Sequence, residues 1–179
     1  MSKLNKDIQL LAIGQAFTST SVALLTAISS LAGLFLAPSA ALSTLPVSAT
    51  VLGALLMIYP ASSLMQHFGR RGGFMFKAGL GIVGSLIAIM SLLNHSFILL
   101  ILGTFILGLF SAFGQYYRFA ALDAANTPEQ KHRAIAIVTG AGVVGGIVGP
   151  YLASHFPAVS DRPFIGAFIA LTIVCILLA

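Results

Sequence analysis

The 179 residues are 58% hydrophobic and only 7% charged, with nine Lys and Arg against four Asp and Glu for a net charge of +5. Soluble domains carry about 25% charged residues, so this balance and a mean hydropathy of +1.03 exclude a soluble fold. The basic excess is spread over several junctions and forms no stripe, which excludes a nucleic-acid surface and leaves membrane topology as its explanation.

Between Asp7 and Arg70 lie 62 residues without Asp, Glu, Lys or Arg. A membrane span takes roughly 20 apolar residues, so this stretch holds two, divided at the small, proline-bearing turn from Ala37-Pro38-Ser39 to Leu45-Pro46. The first segment, 8–36, is far longer than the core of a cleaved signal peptide and ends without a small-residue cleavage site, so it counts as a helix. Further apolar segments follow at 47–65, 74–93, 96–121, 134–156 and 164–179. Asn94-His95 marks a tight hairpin before the fourth, and the stretch from Phe156-Pro157 to Arg162-Pro163 divides the last two. Ahead of the fifth, Thr127 as N-cap, Pro128 in the first turn and Gln130 closing a capping box mark a helix start. The expectation is an all-α polytopic membrane protein, with 1–179 forming one bundle of six transmembrane helices.

Lys3, Lys6, Arg70, Arg71, Lys77, Arg118, Lys131 and Arg133 fall at or near one side of such a bundle, with Arg162 alone opposite. That bias places the N-terminus in the cytoplasm, and the expected location is the inner (plasma) membrane. Lys77 is expected to reach the cytoplasmic interface by snorkelling. His67, His95, His132 and His155 fall near segment ends, where interfacial placement accounts for them without a metal. Cys175 is the single cysteine, so no disulfide or thiolate-metal framework forms within the chain. No cofactor is expected.

Three interruptions of the hydrophobicity carry more information. Ser62 to Arg71 closes the second segment, with Gly69 permitting a tight turn while Arg70 and Arg71 meet headgroups or helix C-terminal carbonyls. By itself this is also what any positive-inside loop looks like. In the fifth segment Gly142, Gly145, Gly146 and Gly149 recur at helical spacing as a smooth face that suits close helix packing, and Pro150 removes a backbone hydrogen bond and permits a kink. Third, Arg118-Phe119-Ala120-Ala121-Leu122-Asp123 leads to Pro128-Glu129 and Arg133-Ala134.

In this order and spacing the three stretches resemble the amino-terminal half of the major facilitator superfamily. The first is similar to that family's loop Gly-x-x-x-Asp-Arg-x-Gly-Arg-Arg, matching at Gly69, Arg70 and Arg71 and departing at Ser62, Gln66 and His67. The family's aspartate, which helps to latch two halves together, is replaced here by Gln66. Gly145-x-x-x-Gly149-Pro150 resembles the antiporter motif of helix five, which implies a flexible, proton-tight contact between halves. The resemblance also makes Asp123 a partner for Arg70 or Arg71. Tyr116-Tyr117-Arg118-Phe119-Ala120-Ala121, with Pro60 to Met65, is similar to a bacterial subgroup that includes riboflavin transporters.

The family resemblance implies that the first and fourth helices line a central cavity. On the first, Gln15, Thr18, Ser19 and Thr26 fall close to one face. A buried glutamine leaves costly unsatisfied groups unless it meets a neighbouring helix, water or a ligand. On the fourth, Gln115 and Arg118 share a face, and Tyr116 and Tyr117 supply flat rings with polar tips, a set suited to a planar, hydrogen-bonding solute. Arg118 has two other uses, snorkelling to the surface or bracing Asp123. No Asp or Glu lies in the core of any segment, and Thr104 stands where proton-coupled relatives often carry an arginine, so the usual coupling groups are missing.

The implied function is secondary active or facilitative transport of a small organic solute by alternating access, either drug or metabolite antiport or uptake of a neutral aromatic solute such as riboflavin. It is conditional on a second six-helix half, whether a missing carboxy-terminal half or a homodimer partner. The final segment has 16 residues and no basic anchor, which reads as a truncated end. The alternative is a non-transporting membrane scaffold or assembly partner. An enzyme is not expected, since no paired carboxylates, histidine cluster or nucleophile-base pair occurs at matching depth.

Overall fold

The computed structural model describes residues 2–125, 127–155 and 164–178. Among them every regular element is helical: α1 (Ser2–Leu36), a 3-10 turn (Ala40–Leu42), α2 (Leu45–Leu93), α3 (Phe97–Ala112), a second 3-10 turn (Phe113–Gln115), α4 (Tyr116–Asp123), α5 (Pro128–His155) and α6 (Ile165–Leu177).

Helix α2 is broken at one residue, Gly69, whose φ of 71° and ψ of 172° are not helical. As a straight rod, α2 would hold Gly53 and Gly84 about 46 Å apart. Instead both lie against one turn of α3: a Cβ on Gly53 would stand 2.2 Å from the Phe105 carbonyl oxygen, and one on Gly84 2.9 Å from Leu107 Cγ. The two legs, 45–68 and 70–93, are therefore folded back on each other with α3 packed across both. The loop expected between 65 and 74 is replaced by that single glycine. Gln66, His67, Arg70 and Arg71 end the apolar run, but exposed polar side chains are compatible with helical backbone, so helix persists on each side.

The segment expected at 96–121 is likewise corrected: α3 ends at Ala112, the 3-10 turn intervenes, and α4 completes the crossing. Tightening occurs where Gly114 lies under α1, with Thr18 Cγ2 3.1 Å from where its Cβ would be. Thr127 caps α5 as expected, since Gln130 N donates to Thr127 Oγ1 at 3.3 Å, and Pro128 opens the helix. Helix α5 continues through Pro150 to His155, so the proline does not end it. The turn expected at Asn94-His95 is present, with His95 at φ 50°. The expected turn at 156–163 lies outside the described residues.

Small residues let the helices approach closely where water is no driving force. A Cβ on Gly108 would stand 2.2 Å from the Thr50 carbonyl oxygen, tying α3 to the first leg of α2, and one on Gly145 2.2 Å from the Ala16 carbonyl oxygen, tying α5 to α1. The largest buried cluster joins Leu25 and Ile28 of α1, Leu92 of α2, Leu107 and Phe110 of α3, and Phe168 of α6. Outside, large apolar side chains such as Leu10, Leu56, Ile98 and Ile147 are more than half exposed, the inverse of a soluble surface and what a lipid solvent requires. Among the described residues four helices are long and apolar enough to cross a membrane, the second being the folded α2, and α6 is a shorter apolar helix of 13 residues. The protein is a multi-pass, all-α membrane protein.

Candidate transport cavity

A cavity of about 590 Å³ opens among α1, the first leg of α2, the α3–α4 junction and α5. Helix α1 delivers Gln15, Thr18, Ser19 and Thr26 to it, and the junction delivers Gln115 and Arg118. Gln115 ends the 3-10 turn and Arg118 follows three residues on, so the two share the cavity side while Tyr117 turns inward. Thr50 and Ser111 line the same space. Sequence patterning missed both, since lone hydroxyls in apolar helices are usually satisfied by their own backbone, as Thr50 Oγ1 is by the Pro46 carbonyl at 3.0 Å.

Gln15 is 6% exposed. Its Nε2 donates to Ser19 Oγ at 3.2 Å, and its Oε1 is buried with no partner. A buried unpaired acceptor costs about 1–3 kcal/mol, which a ligand donor in the cavity would recover. Thr18 Oγ1 donates to the Gly14 carbonyl at 2.7 Å, and Thr26 Oγ1 to that of Val22 at 2.8 Å. Arg118 is exposed and forms no ion pair among the described residues. Of the uses expected for Arg118, bracing Asp123 falls to Arg70 instead, while Arg118 itself is exposed and lines the cavity.

Two sequence expectations are corrected here. Tyr116 does not line the cavity. Its hydroxyl donates to the Ile58 carbonyl at 3.0 Å, and its ring lines a smaller recess with Gln66, Arg70 and Asp123. Lys77 does not snorkel, being 1% exposed, with its Nζ donating to Thr18 Oγ1 and lying 3.3 Å from the Tyr117 hydroxyl. Tyr117 is held between this amine and Phe74, on which it stacks at 4.4 Å. Thr104 is buried away from the cavity, bonded to the Leu100 and Ile101 carbonyls.

At the basic end, Arg70 Nη2 meets Asp123 Oδ2 at 2.7 Å, and Nη1 donates to the Ala120 carbonyl at 3.2 Å. Gln66 and Arg71 are exposed beside them. The glycine face of α5 divides in two. Gly145 and Gly149 pack on Ala16 and on Thr20, Ala23 and Leu24 of α1, so this part of the face is occupied within the bundle. Gly142 and Gly146 line the cavity, and Pro150 is exposed. Among the described residues no three His, Cys, Asp or Glu gather as metal ligands.

A bundle of close-packed apolar helices around a cavity of mixed polar and apolar lining has the general build of a polytopic membrane protein with an internal solute-sized space. A family model of the Major Facilitator Superfamily matches residues 11–179, and the chain belongs to that superfamily, whose members are transporters and not enzymes. It is 38% identical over 166 residues to the riboflavin transporter RfnT of Brucella anthropi, a match covering 92% of this chain and 42% of that protein. The chain thus spans less than half the length of this relative. No solved structure matches it significantly.

Proposed function

We propose that residues 1–179 are the amino-terminal six-helix bundle of a bacterial inner-membrane transporter that carries riboflavin or a similar planar, hydrogen-bonding solute by alternating access. The six helices are α1, the two legs of α2, α3 with α4, α5 and α6, with the N-terminus in the cytoplasm. The observation that carries this is the 38% identity to a riboflavin transporter across nearly the whole chain. The cavity supports it: its volume is within the range of about 300–1,000 Å³ usual for small-molecule sites, and Gln15, Gln115 and Arg118 offer donors and acceptors to the edge of a flat ring.

Transport requires a second six-helix half, and the match to 42% of a longer transporter agrees with one lying beyond this chain. In this scheme Gly69, Arg70, Arg71 and Asp123, with Gln66 beside them, form the cytoplasmic gate. Gly145 and Gly149 give α5 the close, smooth seat on α1 that a moving bundle needs, and Pro150, exposed beside them, leaves one backbone hydrogen bond out of the helix there. The test is uptake of labelled riboflavin by a riboflavin-auxotrophic bacterium expressing the complete gene. Gln15→Leu and Arg118→Gln are each expected to lower uptake about tenfold or more, the effect of losing roughly 1.4 kcal/mol of binding. Uptake that never exceeds the vector control would leave the non-transporting scaffold as the better account.

A further inference from the structure

Lys77 lies seven residues past Arg70 in the second leg of α2, which carries it about 10 Å inward from the basic end. From α1 it meets Thr18, from α4 the Tyr117 hydroxyl and ring, and from α3 the Phe110 ring, whose centre is 4.8 Å from Nζ. From α6, Cys175 Sγ stands one turn further along, against Gly81. No carboxylate faces the amine among the described residues, and the ion pair they contain is that of Arg70 with Asp123. Burying an ammonium costs several kcal/mol. Two rings and two hydroxyls return part of that, so the charge on Lys77 is only partly compensated, and any electron-rich group brought near it favours the protonated amine.

Such a group can arrive from the cavity. Thr18 is at once the acceptor for Lys77 and part of the cavity wall, so one threonine side chain separates the amine from the space a solute would fill. The unpartnered Gln15 Oε1 lies on the same helix, three residues before Thr18.

We propose that solute binding in this cavity is linked to proton uptake at Lys77: an edge of the solute rich in acceptor oxygens, or negatively charged, seats against Thr18, and the amine behind it takes a proton from water as the solute binds. This rests on the transporter assignment above and narrows its solute class, and it supplies a proton-binding group to a bundle whose described spans hold no carboxylate in their cores. Because the occupied state holds more protons than the empty one, affinity falls as pH rises. Lys77 acts through Thr18 and is thus a positioning residue, with Thr18 the contact.

The experiment is calorimetric titration of riboflavin, whose ring carries two carbonyl oxygens, into the complete protein in lipid nanodiscs, in buffers of unlike ionisation heat. The expected result is net proton uptake of up to one per riboflavin, with Kd rising as pH rises by up to about tenfold per pH unit, the limit for one linked proton. Lys77→Arg, permanently charged, is expected to bind with neither uptake nor pH dependence. The uptake measurement on the unaltered protein needs no variant to fold. Riboflavin binding without uptake, or uptake undiminished in Lys77→Arg, would overturn the proposal and leave the riboflavin assignment standing. No riboflavin binding at any pH would overturn that assignment and this linkage with it.

Discussion

Arg70 and Asp123 are 53 residues apart in sequence and 2.7 Å apart in the fold. Their side chains are 48% and 65% exposed, so the pair adds only about 0–1 kcal/mol to stability. Its value is positional, since it ties the break in α2 to the end of α4 at the mouth of the basic side. Arg70→Asp is expected to lower riboflavin uptake about tenfold with little change in melting temperature, and adding Asp123→Arg to restore much of it; a double variant no better than the single would remove this contact from the gate. The pairing of Asp123 with an arginine of the first loop was legible from the family resemblance, although the choice of Arg70 over Arg71 needed coordinates. Lys77 was legible only as a charge in an apolar run. Snorkelling accounts for such a charge near a helix end, whereas burial depends on which faces of α1, α3 and α4 meet there, and a single helix carries no record of that. Tyr116 and Tyr117 show the same limit: adjacent in sequence, they point about 100° apart on a helix, and only the packing decides which one sees the amine.

At the scale of elements, most helices could be read from apolar runs and their punctuation, while the junctions could not. Hydropathy registers where apolar residues stop, and backbone geometry registers where hydrogen bonding stops, and in α2 these differ by several residues. Gly69 makes the break alone, in a conformation open essentially to glycine. Nothing lies within 4 Å of where its Cβ would stand, so Gly69→Ala tests conformation without a steric clash. The strain is about 1–3 kcal/mol, to be seen as a lowered detergent melting temperature. Along α5 the glycines separate by packing. Gly145→Leu places its side chain on the Ala16 carbonyl and is expected to prise α5 from α1, with loss of folded protein on size-exclusion chromatography. Gly146→Ala has open space before it and is expected to melt within a degree or two of the unaltered protein. Equal losses from both would show that the α1–α5 contact is not what the glycine face serves.

At the scale of the whole molecule, the two ends of the bundle differ in charge. Phe35, His95 and Phe164 gather at one end, with ring centroids 6.0 and 6.4 Å from that of Phe35. At the other, Ile8, Tyr117, Ala125 and Ala134 form a cluster, and Lys6, Arg70, Arg71, Arg118, Lys131 and Arg133 lie on or beside the segments that meet there. The basic bias counted along the sequence therefore survives, among the described residues, as a bias in space, and the proposed cytoplasmic N-terminus rests on it. Cys175 is fully buried, which makes it silent to aqueous thiol reagents. In a Cys175→Ser background, cysteines introduced one at a time at Ser39 and Asn94 are expected to react in intact cells with a membrane-impermeant maleimide. Those at His67 and Thr127 are expected to react only once the cells are opened. Because α2 turns back at Gly69, Ser39 and Asn94 must label from the same side, with His67 opposite. A chain in which α2 crossed as one rod would separate Ser39 from Asn94, so the pattern tests the hairpin and the orientation together. Reaction of His67→Cys and Thr127→Cys in intact cells, with the other two protected, would keep the hairpin and invert the bundle, placing the Arg70–Asp123 contact outside the cell.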